Sequence, residues 1–126
     1  MRSPALTRFF RDEVFAAPER VDAALIDHAY RSSHRPGAGR TLAALTTGQL
    51  DDDVRELLGE IDVPVSLFWG RHATCPRVEQ ADLWLSRLAD GHLEVFEASG
   101  LAPHLEESGP FAEAVAALAA RCGATG

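Results

Sequence analysis

The run Val63-Pro64-Val65-Ser66-Leu67-Phe68-Trp69, closed by Gly70, constrains this chain more than any other feature. Apolar residues at successive positions, rather than alternating ones, leave a strand with no face for water, so the run predicts a strand buried on both faces. Pro64 fits only at its start, because proline cannot donate to the ladder. Such a strand needs neighbours and covering helices, and the residues after it supply some. An amphipathic helix from about Val78 to Ala89 presents Ala81, Leu85 and Leu88, and Gly91 lets the chain turn into a second strand, His92 to Ala98. Ser108-Gly109-Pro110 reads as the cap and first turn of a last helix carrying Phe111, Val115, Leu118 and Cys122 on one stripe. The order is β-α-β-α, and a right-handed crossover makes the two strands parallel.

The preceding residues have a different rhythm. From Ser3 to about Leu58 apolar positions recur at helical spacing with no alternating β-branched stretch. Pro18 opens a helix running to about Arg31, with Val21, Leu25 and His28 on one face and Ala24 beside them. On that face His28 reads as a satisfied, partly buried histidine. Pro36-Gly37-Ala38-Gly39 breaks the pattern, and a short helix through Leu42 and Leu45 ends near Gly48. Asp51 or Asp52 caps the next helix, whose stripe is Val54, Leu57, Leu58 and Ile61. The cluster Asp51-Asp52-Asp53 needs no metal, since carboxylates are favoured at a helix N-terminus by the dipole alone. The chain thus divides into a helical segment, residues 1–60, and a β-α-β-α part, residues 61–126: an α/β chain.

Charge removes several partners. All twelve basic residues are arginines scattered among nineteen acids, and the formal net charge is −7. A phosphate backbone is held by clustered cations that release counterions, so no nucleic-acid partner is expected. Cys75 and Cys122 form neither a C-x-x-C nor a Cys/His metal spacing. No disulfide framework, metal or other cofactor is expected, and a reducing cytoplasm is the default. The first residues are interrupted by Arg8, Arg11, Asp12 and Glu13, unlike a secretory signal, and no apolar stretch approaches the ~20 residues of a membrane span, so no membrane partner is expected.

Two segments carry a resemblance. Val63-Pro64-Val65-Ser66-Leu67-Phe68-Trp69-Gly70-Arg71-His72-Ala73-Thr74-Cys75-Pro76 and Ser99-Gly100-Leu101-Ala102-Pro103-His104-Leu105-Glu106-Glu107 resemble the end of the α/β-hydrolase fold: apolar strand, glycine, acid, helix, strand, then a Gly-His-x-x-His-x-Glu-like turn. Phe15 to Val21 and Leu50 to Ile61 look like the lid helices inserted before those units. The resemblance implies that the chain is a C-terminal portion, starting after the first five or six strands and the G-x-S-x-G nucleophile elbow, a motif absent here.

In that family a histidine takes the nucleophile's proton and an acid orients the histidine. The resemblance puts the acid at Ala73 and the histidine at Leu101, and neither side chain can move a proton. Substitutes are His72, Cys75 and His104. His72 sits at a strand's C-terminal end, where α/β folds bind ligands. Cys75 could pair with His72 as a nucleophile, although no third orienting residue is apparent, and it reads first as a plain loop cysteine. His104 belongs to a Pro-His-x-Glu turn that the family keeps for structure, and Glu106 reads as the hydrogen-bonding partner that fixes this turn rather than as a general base. Trp69 and Trp84 read as core, and His34 and His92 as exposed at turns.

The functional expectation is a partial or degenerate hydrolase-family protein without hydrolase activity as an isolated chain. Whether it is an enzyme at all stays open, the vacant positions arguing against it. The alternative is a non-catalytic binding or assembly module that self-associates or docks on a complementary N-terminal half, because two strands leave open edges. A small apolar substrate is implied only for a completed fold, and the ligand-binding residues are not identified.

Overall fold

The computed structural model describes residues 3–47 and 56–123. Ser3 caps the first helix, α1 (Pro4–Phe9), by accepting from the Leu6 N–H, with Pro4 in the first turn where its missing N–H costs nothing. A wide turn, Phe10–Val14, continues it and closes with Phe15 N–H donating to the Phe10 carbonyl at 3.0 Å. The next helix is shorter than its pattern predicts. Pro18–Arg20 is only a tight turn, and α2 (Ala23–Ser33) starts afresh after Asp22, whose carboxylate accepts from the Leu25 N–H. Val21 thus lies outside this helix, within which Ile26 is buried and Leu25, Ala29 and Tyr30 are half-buried, while His28, expected on the inner face, is exposed. Gly37 takes a φ of 89°, which glycine adopts freely, and α3 (Ala38–Thr46) follows at once, so Gly39 lies inside a helix rather than in the break. The expected cap at Asp51 or Asp52 lies outside the described residues.

The sheet has two parallel strands, β1 (Val65–Gly70) and β2 (Gly91–Phe96), in register from Val65 opposite Gly91 to Gly70 opposite Phe96. Val63 precedes β1 and is 57 % exposed. The run's demand for double burial is not met among the described residues: within β1 only Gly70 is buried, because β2 is the strand's one partner there. Between the strands the helix is broken into a turn, Val78–Gln80, and α4 (Ala81–Leu85), after which Arg87 and Leu88 close tighter turns onto Trp84 and Leu85. Ala81 is buried and Leu85 and Leu88 half-buried, as the stripe requires, but Trp84 keeps 36 % of its surface exposed and is not core. After the short α5 (Pro103–Glu106), α6 runs from Ser108 to Gly123. Its inner side is Phe111, Ala114 and Leu118, with Val115 and Cys122 exposed. Phe68, Phe96 and Phe111 meet with ring centroids 5.2–6.0 Å apart and join the strands to α6.

The N-terminal residues are strapped across the loop that follows β2. Glu106, only 5 % exposed, accepts from Gly100 N–H at 2.6 Å through one carboxylate oxygen and from Ala16 and Ala17 N–H at 2.8 and 3.2 Å through the other. Arg20 donates to the Glu106 carbonyl, and Leu101 N–H donates to the Val14 carbonyl at 2.7 Å. Gly100 permits this approach, for a Cβ there would lie 2.3 Å from the Val14 oxygen. Gly70 is as tight, since a Cβ would meet the Gly100 oxygen at 1.9 Å.

Two outcomes follow. Gly70→Ala and Gly100→Ala each force backbone apart and are expected to lower stability by about 2 kcal/mol or more, whereas Gly109→Ala, with nothing within 4 Å, stays near neutral in urea titration. Glu106→Ala leaves the buried Gly100 N–H and the half-buried Ala16 and Ala17 N–H groups without their acceptor, an expected loss of about 2–5 kcal/mol, and amide exchange at Ala16, Ala17 and Gly100 should quicken together. Protection unchanged at Ala16 and Ala17 would show that the strap is held by something else.

Candidate functional site

Parallel strands point their C-terminal ends the same way, so the loops after β1 and β2 are brought side by side, the place where α/β folds carry their sites. Here they are locked together. His72 N–H donates to the Ser99 carbonyl at 3.0 Å, and Arg71 N–H to the Phe96 carbonyl at 2.9 Å. Glu107 holds the second loop from below, accepting from Ala98 N–H at 3.0 Å and from the buried Ser99 hydroxyl at 2.6 Å. Arg71 spans the two strand ends with a forked pair to Glu97, at 2.9 and 2.6 Å. Those hydrogen bonds hold the Glu97 carboxyl below its ordinary range and raise the Arg71 guanidinium. Any stability from the pair would be present at neutral pH and lost as acid protonates Glu97, and it is small because both groups face water.

Between the loops lies an open cleft of about 190 Å³. Ala73 and Leu101, the positions that the resemblance gives to the acid and the histidine, both line it, with Phe68, Trp69, Pro76 and Pro103 around them. Ala73 is 8 % exposed and Leu101 36 %. Two positions 28 residues apart in sequence thus share one small apolar space. Trp69 is a wall of this cleft rather than buried core, its indole N–H donating to the Pro76 carbonyl at 3.1 Å.

The substitute residues are not assembled. His72 and Cys75 are exposed and neither lines the cleft. His104 is exposed on α5, its ring edge-on to Phe111 with centroids 5.9 Å apart. Among the described residues no hydrogen bond joins these three side chains to one another, and no group of three His, Cys, Asp or Glu side chains is placed to hold a metal ion. His34 stacks on Tyr30 and His92 lies 3.5 Å from Glu94, both exposed. No helix of the described residues is long and apolar enough to cross a membrane. What the sequence did not disclose is the strap: Glu106 meets Ala16 from 90 residues away, and no local signal marks that partner.

No family model matches the sequence, and no curated protein matches it. Solved structures do. A membrane phospholipase A described as a bacterial virulence factor superposes with a TM-score of 0.76 at 16 % identity, over 96 % of this chain and 39 % of its own. A serine hydrolase involved in carbazole degradation gives 0.69 at 19 % identity, over 79 % and 40 %. An alpha/beta fold family hydrolase from Bacillus anthracis strain Sterne gives 0.66 at 21 %, over 90 % and 40 %. The chain therefore spans about two fifths of the length of the structures it matches, and its fold is that of part of an α/β-hydrolase.

Proposed function

We propose that this chain is a C-terminal portion of an α/β-hydrolase fold that has no hydrolase activity of its own, with residues 1–60 as a lid-like helical segment and residues 61–126 as the closing β-α-β-α part. The observation that carries this reading is the meeting of Ala73 and Leu101 in one apolar cleft at the strand ends. A methyl and an isobutyl group can neither take a proton from a nucleophile nor orient a base, so the cleft lacks two of the three triad roles whatever residue faces it. The exposed His72, Cys75 and His104, none tied to another by a hydrogen bond, do not replace them.

A second reading, a binding or assembly module, is favoured by the surface. Leu57, Val63, Leu83 and Trp84 keep 36 to 66 % of their surface exposed, and β1 and β2 stay half-exposed. Such a surface suits self-association or docking on a complementary N-terminal half.

Hydrolysis of activated esters by the purified chain is expected to equal the buffer blank, and Ala73→Asp combined with Leu101→His is expected to remain inactive. Activity that follows the folded protein and vanishes with His104→Ala would overturn the first reading. For the second, sedimentation at micromolar concentration should show association or a melt that shifts with concentration. A compact monomer with a cooperative, concentration-independent melt would refute it.

A further inference from the structure

We infer that a second notch, beside the strap, is a binding site for an aliphatic α-amino acid in its zwitterionic form. It holds about 150 Å³ between Phe15, Arg20, Asp22, Leu25 and Leu105 and shares no wall with the Ala73–Leu101 cleft.

The backbone brings a cation and a carboxylate to this notch together. Val21 (φ −73°, ψ 101°) and Asp22 (φ −93°, ψ 170°) are extended between the tight turn at Pro18–Arg20 and α2. Side chains two apart on extended backbone share a side, so Arg20 and Asp22 both become walls. They do not neutralise each other. Arg20 Nη1 donates to the Glu106 carbonyl, Asp22 Oδ1 accepts from the Leu25 N–H at 2.7 Å, and no ion pair joins the two side chains. These backbone partners fix both groups before a ligand arrives. Among the described residues nothing else bonds the second Asp22 oxygen or the remaining side-chain N–H groups of Arg20.

The other walls are apolar: Phe15 is buried, Leu25 half-buried, and Leu105 keeps 47 % of its surface exposed. A ligand that uses the whole notch carries an anion for Arg20, a cation for Asp22 and an apolar body for these three side chains. An ion of one sign is repelled by one of the two charged walls, and a hydrocarbon displaces water from both charges without replacing it. An α-amino acid holds its two charges on either side of one carbon. The volume suits an isobutyl group, since an apolar cavity of about 150 Å³ takes the larger benzene.

Titration of the intact chain with leucine, followed by the chemical shifts of its backbone amides in NMR spectra, tests this. Saturable shifts centred on Phe15, Arg20, Asp22, Leu25 and Leu105 are expected, with a dissociation constant of about 1 mM, modest because both charged groups face water. N-acetylleucine lacks the cation, leucinamide the anion and glycine the apolar body, and each is expected to bind weaker by roughly fivefold or more. Asp22→Asn keeps a helix-capping side chain without its charge, and with Leu105→Ala it should weaken leucine by a similar factor while the rest of the amide spectrum stays in place. The ligand series needs no variant, so it decides the matter even where a variant fails to fold. Shifts that rise linearly with leucine or saturate only at other residues would overturn the inference. So would equal binding of N-acetylleucine, leucinamide or glycine, or unchanged leucine affinity in a folded Asp22→Asn chain.

Discussion

One buried carboxylate organises the molecule. Glu106 sits among backbone N–H groups of two segments far apart in sequence, Ala16–Ala17 and Gly100. A charge out of water is costly unless it is fully hydrogen-bonded, and hydrogen bonds to a charged acceptor are among the stronger ones. The carboxylate therefore holds only if the strap and the loop are both in place, and each needs it in turn. Gly100 lets the strap pass within contact distance, and Gly70 lets the two post-strand loops touch. These close approaches border the cleft, because Gly70 and Gly100 are both among its walls.

The contrast between that corner and the strands is physical. At the C-terminal ends of β1 and β2, Gly70, Ala73, Phe96, Ser99, Gly100, Ala102 and Glu106 are all buried. Most of the remaining strand residues are half-exposed, with one partner strand and α6 covering part of one side through Phe111. An apolar strand with open edges seeks further pairing. The candidate site thus lies at the most buried end of a sheet that has only two strands among the described residues.

Much of this was legible in the sequence. Helical spacing up to about Leu58 against a continuous apolar run ended by Gly70 separates the helical first segment from the strand-helix-strand-helix part, and that run locates β1 to within two residues at its start. Ala73 and Leu101, to which the resemblance gives the places of the acid and the histidine, both line one cleft. Helix faces were less legible. The expected face is anchored on Val21, which lies outside α2, and runs through Leu25 and His28, where packing uses Ile26 with Leu25, Ala29 and Tyr30. In α6 the expected 4-3-4 stripe runs through Val115 and Cys122, where packing uses Phe111, Ala114 and Leu118. Trp84, beside the apolar stripe of its helix, is expected in the core, but nothing among the described residues covers it fully. The strap was illegible for a different reason: a hydrogen bond to a backbone N–H leaves no residue-type signature at its partner.

On the proposed reading, no residue of this chain is activated for nucleophilic attack. Intact-mass spectrometry after incubation with a fluorophosphonate, which adds covalently to an activated serine, tests it most directly. The expected result is an unchanged mass for the folded chain at millimolar probe. A stoichiometric adduct on one serine, abolished by unfolding the protein first, would contradict it.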